Sequence, residues 1–155
     1  LILTPNGSFV QNGGIIPPPP PGYPYYILKM INSQGVTTNA FDTIKINDSY
    51  NMQDYISNIY YYDKYRKYTV DESTIDRLCN GTSYGETFYG DIVEIILNSM
   101  DDFDYNFSVT IHTSWNSWKG NIELYGGSAE DDYSNLLKTE YFNVPNYSDL
   151  TFTNP

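Results

Sequence analysis

Residues 106 to 115 read "NFSVTIHTSW", and no other stretch restricts the fold of this chain so tightly. Successive side chains of a β-strand point to opposite faces, so a strict apolar–polar alternation suits a strand with one face buried. Phe107, Val109, Ile111, Thr113 and Trp115 are expected to face inward, and Ser108, Thr110, His112 and Ser114 outward. Residues 91 to 98, "DIVEIILN", are almost continuously apolar, as in a strand covered on both sides.

Comparable segments recur at roughly ten-residue spacing between Gly, Asn, Asp and Ser turns. They are residues 25 to 32, residues 36 to 47 with Ile44 and Ile46 on one face, "NIELYGG" after the "NSWKG" turn, "LLKTEYFNV" and "DLTFT". Residues 55 to 68 fit both periods and are assigned to a strand because tyrosine favours strands. One helix is predicted over residues 70 to 79. Thr69 and Glu72 spell a capping box, Asp71 lies in the first turn, Ile75 and Leu78 share a face, and Asn80-Gly81 is a stop. The fold class predicted is all-β: an antiparallel β-sandwich, Ig-like or jelly-roll-like, with one short helix and an extended N-terminal tail.

Pro17 to Pro21 divide the chain. Proline fixes φ and lacks an N–H, so this run is neither helix interior nor central strand. It predicts a polyproline II rod of roughly 15 Å at ~3.1 Å per residue, jointed at Gly13-Gly14 and Gly22. Three regions result: a strand-like tail (1–16), a polyproline linker (17–22) and a sandwich domain (23–155).

Composition narrows the function classes. A net charge of −11 disfavours nucleic acid and anionic membrane as partners. The small basic cluster of Lys64, Arg66 and Lys67 is expected in a solvated turn or strand edge. No run approaches the ~20 apolar residues of a membrane span. The start of the chain, without Met or a signal pattern, suggests a mature or excised chain. A single cysteine, Cys79, permits no intramolecular disulfide and is expected as a small buried hydrophobe.

Catalytic motifs are sparse. His112 is the one histidine, on an outward face, and no P-loop, dinucleotide fingerprint or nucleophile elbow is present. The carboxylate groups Asp101-Asp102-Asp104 and Glu130-Asp131-Asp132 sit in polar, loop-like stretches, where ordinary pKa values make weak general acids. No cofactor and no enzymatic activity are expected. Asp102, Asp104 and Asn106 alternate like the opening of a calcium loop, but Phe107 replaces the required glycine and Thr113 the bidentate glutamate. The EF-hand pattern fails, leaving a looser calcium site as the weaker alternative to a solvated turn.

Trp115 and Trp118 carry the clearest binding signal. Two indoles at a hairpin tip make a platform for sugar rings, with Asn116 and Lys119 adding polar contacts. The competing reading buries Trp115 with Val109 and Ile111 and leaves Trp118 in the turn. Five asparagines, Asn6, Asn47, Asn80, Asn106 and Asn146, match the N-glycosylation pattern. With 16 Asn and 26 Ser plus Thr in the chain, chance supplies about three such matches. The excess and its placement at turns point to a glycosylated, extracellular surface.

The tail is too apolar for a free segment in water: Leu1, Leu3, Phe9, Val10, Ile15 and Ile16 fall within sixteen residues. It reads as a linker, as the first strand of its own sandwich, or as a strand donated to a neighbouring molecule. Head-to-tail donation that does not close generates a filament, and a stiff spacer prevents self-insertion. A strand-like tail before a sandwich bearing sequons at Asn47, Asn80, Asn106 and Asn146, without disulfides, resembles subunits of donor-strand surface filaments. These include bacterial chaperone–usher pili and archaeal thread filaments. The lone Cys79 fits the archaeal kind better. The resemblance implies a structural, non-catalytic subunit polymerised with identical copies outside the cell. The alternatives are a carbohydrate-binding module of a secreted protein and a viral or cell-surface adhesion domain.

Overall fold

The computed structural model describes residues 2–3, 9–11, 14–16, 22–35, 38–98 and 106–155. The described strands are β1 (Ile2–Leu3), β2 (Phe9–Gln11), β3 (Gly14–Ile16), β4 (Tyr25–Asn32), β5 (Thr38–Ile46), β6 (Ile56–Asp63) and β7 (Arg66–Thr69). After helix α1 (Glu72–Asn80) come β8 (Glu86–Tyr89), β9 (Ile92–Asn98), β10 (Phe107–Thr113), β11 (Trp118–Gly127), β12 (Asn135–Val144) and β13 (Asp149–Asn154). Strands β4 to β13 form an antiparallel β-sandwich. One sheet has the order β13-β10-β5-β8 and the other β12-β11-β4-β9-β6-β7.

The inward row of β10 behaves as its alternation demands. Phe107, Val109 and Ile111 join Phe41, Ile44, Ile46, Leu150 and Phe152 on the four-stranded side of one core. Tyr26, Leu28, Met30, Val93, Ile95, Leu97, Ile122 and Leu124 meet them from the six-stranded side. Each such burial contributes about 1.5–3 kcal/mol of transfer free energy. Helix α1 adds Ile75, Leu78 and Cys79 to this core. Burial pushes the Cys79 thiol up to about 12, so it stays protonated and unreactive.

Two local expectations are corrected. The helix is capped by Asp71, whose carboxylate accepts from the Thr74 N–H at 3.0 Å. Thr69 is not the cap, because it ends β7 paired with Tyr60. Gly81 does end the helix, in the left-handed region at φ 78°. Residues 55 to 68 form a hairpin rather than one strand: β6 and β7 pair from Tyr60↔Thr69 to Asp63↔Arg66. Lys64 lies in that turn at φ 55°, so the basic cluster is a turn and a short edge. The described residues of the tail form three short strands paired with one another, in the order β1-β2-β3. Leu1 and Pro17 to Pro21 lie outside the described residues.

Strand β9 is covered on both sides, as its composition predicts, with Val93 to Leu97 all buried. The cover on its outer face is a polar layer that the sequence does not advertise. Glu94, 2% exposed, accepts hydrogen bonds from the hydroxyls of Tyr62 and Tyr133, both at 2.6 Å. Glu130 accepts from Asn58 Nδ2 at 2.8 Å, from Tyr60 Oη at 2.6 Å and from Ser57 Oγ. Burial pushes the Glu130 carboxyl up, but the bonds from Ser57, Tyr60 and Asn58 outweigh it and hold the group below its usual value. Burial, reinforced by Glu130, pushes the Tyr60 phenol up to about 12. Burial and the bond to Glu94 likewise raise Tyr62 and Tyr133. The segment between β11 and β12 is thereby fastened across the sheet as a partial third layer.

Candidate functional site

The outer face of the four-stranded sheet carries a groove of about 590 Å³, within the size range of small-molecule sites. Its floor comes from adjacent strands. Asp42, Thr43 and Lys45 lie on β5, His112 lies on β10 with Ser114 just beyond it, and Asp149 opens β13. Cross-strand register sets His112 opposite both Thr43 and Asp149. His112 Nδ1 and Asp149 Oδ1 are 2.8 Å apart, which fixes the orientation of the imidazole.

Four aromatic residues wall the groove: Trp115 (51% exposed), Tyr147 (60%), Tyr84 (101%) and Tyr50 (46%). The turns bearing Trp115, Tyr147 and Tyr50 are secured by main-chain bonds. Ser114 N–H donates to Ala40 O at 2.9 Å, and Tyr147 N–H donates to Ser114 O at 3.0 Å. The turns bearing Trp115 and Tyr147 are thus tied to β5 and to each other. Thr113 Oγ1 donates to Pro145 O at 2.8 Å and accepts from Ser148 N–H at 3.0 Å, closing the same lattice. Asn51 N–H donates to Cys79 O at 2.7 Å, pinning the turn after β5 to the end of α1. Tyr50 packs over Gly81, where a Cβ would stand 3.2 Å from its ring. Lys45 Nζ lies 4.5 Å from the centre of the same ring, a cation–π contact.

Backbone strain collects around this groove. Asn47, Asp48, Asn51 and Tyr147 all have positive φ. Asn and Asp tolerate the left-handed region, but a tyrosine there carries a real conformational cost, of order 1–3 kcal/mol. At φ 52° the Tyr147 backbone accepts that cost on a turn whose ring faces the groove.

The two tryptophans exchange the roles anticipated for them. Trp118 opens β11 and is 1% exposed, and its Nε1–H donates to Asn39 Oδ1 at 2.8 Å. Trp118 is therefore a core residue and not part of a sugar platform. Trp115 leaves the inward row because the register between β10 and β5 shifts at His112/Thr113, and Thr113 and Ser114 are buried in succession. With alternation broken, the next side chain turns outward. Asn116 donates to Thr38 O at 3.2 Å and Lys119 is exposed on β11, so neither lines the groove.

No protein-family model, curated protein or solved structure matches the chain. The site is accordingly defined by its geometry alone. Of the remaining candidate residues, Asn47, Asn80, Asn106 and Asn146 are exposed. Asn6, Asp102 and Asp104 lie outside the described residues, and no cluster of His, Cys, Asp and Glu among the described residues could hold a metal ion. The groove residues Tyr50, Tyr84 and Tyr147 escaped sequence reading. Tyrosine is abundant in this chain, with 17 copies, so no single one stands out.

Proposed function

We propose that the sandwich is an extracellular carbohydrate-binding adhesion module and that the groove on its four-stranded face is the binding site. The observation that carries this reading is the aromatic wall of Trp115, Tyr147, Tyr84 and Tyr50 around a floor of hydrogen-bonding groups. A pyranose ring has one face of C–H groups and an edge of hydroxyls. Aromatic rings take up the face, while Asp42, Asp149, His112 and Lys45 satisfy the edge. The fixed main chain of the turns lowers the ordering cost of binding. Trp115→Ala is expected to weaken binding at least about tenfold, as for loss of an anchoring aromatic. It should change stability by less than about 0.5 kcal/mol, because the ring is exposed. Glycan-array screening followed by titration calorimetry of wild type and variant checks this. Unchanged affinity in the variant, or no oligosaccharide bound by wild-type protein made in the bacterial cytoplasm, removes the reading.

A second reading concerns the tail. Strands of two or three residues are far too short to be stable as an isolated sheet. In the order β1-β2-β3, β1 and β3 are the edge strands among the described residues. We propose that this segment is an assembly element donated as a strand to an identical neighbouring subunit, as in a donor-strand filament. Deleting residues 1 to 16 should leave a monomer where the full chain forms oligomers in size-exclusion chromatography and negative-stain microscopy. Equal monomeric behaviour of both chains would exclude assembly through the tail.

A further inference from the structure

The groove is ringed by glycosylation sequons. Gly81 and Tyr147, both in its lining, immediately follow Asn80 and Asn146, and Tyr50 stands three positions after Asn47. All three asparagines are exposed. Their hydrogen bonding sets two of them apart from six other asparagines of the domain. Asn32, Asn39, Asn58, Asn98, Asn116 and Asn135 each donate through Nδ2 to a protein acceptor. Asn80 instead takes its bonds on Oδ1, from Thr82 N–H at 3.0 Å and Thr82 Oγ1 at 2.6 Å. Asn47 likewise accepts on Oδ1, from Ser108 N–H at 3.0 Å. These donors require an oxygen at that position, which assigns the amide orientation chemically. An N-linked glycan replaces one hydrogen of Nδ2 and leaves Oδ1 intact, so the native fold accommodates it at both residues. At Asn146 the main-chain carbonyl, not the side-chain amide, receives the Ser148 hydroxyl at 3.2 Å.

We propose that Asn80 and Asn146 carry N-linked glycans whose first sugars rest on the Trp115–Tyr147–Tyr84 wall, so that the chain's own carbohydrate occupies the groove and external sugar must compete with it. This rests on the groove being a sugar site. It makes glycosylation a control on binding as well as a coat. The two tryptophans supply the readout, because Trp118 is buried and collisional quenching of intrinsic fluorescence therefore reports Trp115.

The full chain would be secreted from a eukaryotic host and compared with protein made in the bacterial cytoplasm. Site occupancy would be mapped by peptide mass spectrometry and Trp115 accessibility by acrylamide quenching. Expected are occupied Asn80 and Asn146, loss of most of the quenching seen in the bacterial protein, and recovery of quenching after endoglycosidase treatment and in the N80Q/N146Q double variant. Weaker binding of free oligosaccharide by the secreted form should accompany this protection. Empty sequons, or occupied ones with undiminished quenching, overturn the proposal. If the bacterial protein binds oligosaccharide in that case, the groove reading survives alone. If the bacterial protein binds none, both fall together.

Discussion

Trp118→Ala will destabilise the sandwich by about 3–5 kcal/mol, the usual cost of truncating a buried aromatic. That is a large fraction of the ~5–15 kcal/mol that holds a typical domain. Two effects add. The indole is among the largest fully buried side chains, and its removal leaves a void between the sheets. Its N–H also belongs to a closed polar unit around Asn39. Asn39 Oδ1 accepts from Trp118 Nε1 at 2.8 Å and from Asn32 Nδ2 at 3.2 Å, and Asn39 Nδ2 donates to Gly90 O at 2.9 Å. Truncation removes one donor from an acceptor sealed from water. Trp118→Phe, which fills most of the void but gives no N–H, should cost distinctly less. Urea unfolding followed by far-UV circular dichroism separates the two variants. A loss below about 1 kcal/mol for Trp118→Ala would contradict a fully packed site. The same substitution at Trp115 should leave the unfolding midpoint unmoved, so the pair tests their opposite placements.

Gly90→Ala should be at least as damaging. Gly90 has φ +114°, outside the range L side chains adopt readily, and a Cβ there would lie 1.7 Å from Tyr62 O and 2.6 Å from Tyr62 C. Both atoms are backbone of β6, so relief requires moving the strand or the turn between β8 and β9. Moving the turn also displaces the Gly90 carbonyl that Asn39 holds. We expect a loss above about 4 kcal/mol, or no soluble folded protein. Gly35→Ala is the control, since Gly35 also has positive φ, at +76°, but a Cβ there meets nothing within 4 Å. It should cost roughly 1 kcal/mol, the conformational penalty alone. Equal losses at the two glycines would show that close approach to β6 contributes nothing.

Periodicity carried most of the fold because it reports which face of a strand meets the core. The inward row of β10, the doubly covered β9 and the paired Ile44 and Ile46 all follow from it. It failed where pairing rather than composition decides. The hairpin between β6 and β7 lies in a tyrosine-rich run with no Gly or Pro to mark its turn, and β8 is too short, at four residues, to show a period. The groove was only half visible for the same reason. Trp115 was a candidate from its chemistry, but the register shift beside Thr113 that turns it outward depends on the partner strand β5. Tyr50, Tyr84 and Tyr147 come from segments far apart in sequence and meet only in three dimensions. The polar layer over β9 likewise joins Glu94 to a tyrosine 39 positions away.

Three main-chain bonds help to fasten the turns around the groove: Ser114 to Ala40, Tyr147 to Ser114 and Asn51 to Cys79. Bonds of that kind are indifferent to what the exposed side chains are. The chemical identity of the groove can therefore drift by substitution at Trp115 while the scaffold keeps its shape and stability. What the groove presents to its surroundings can thus change one residue at a time, without passing through unfolded intermediates.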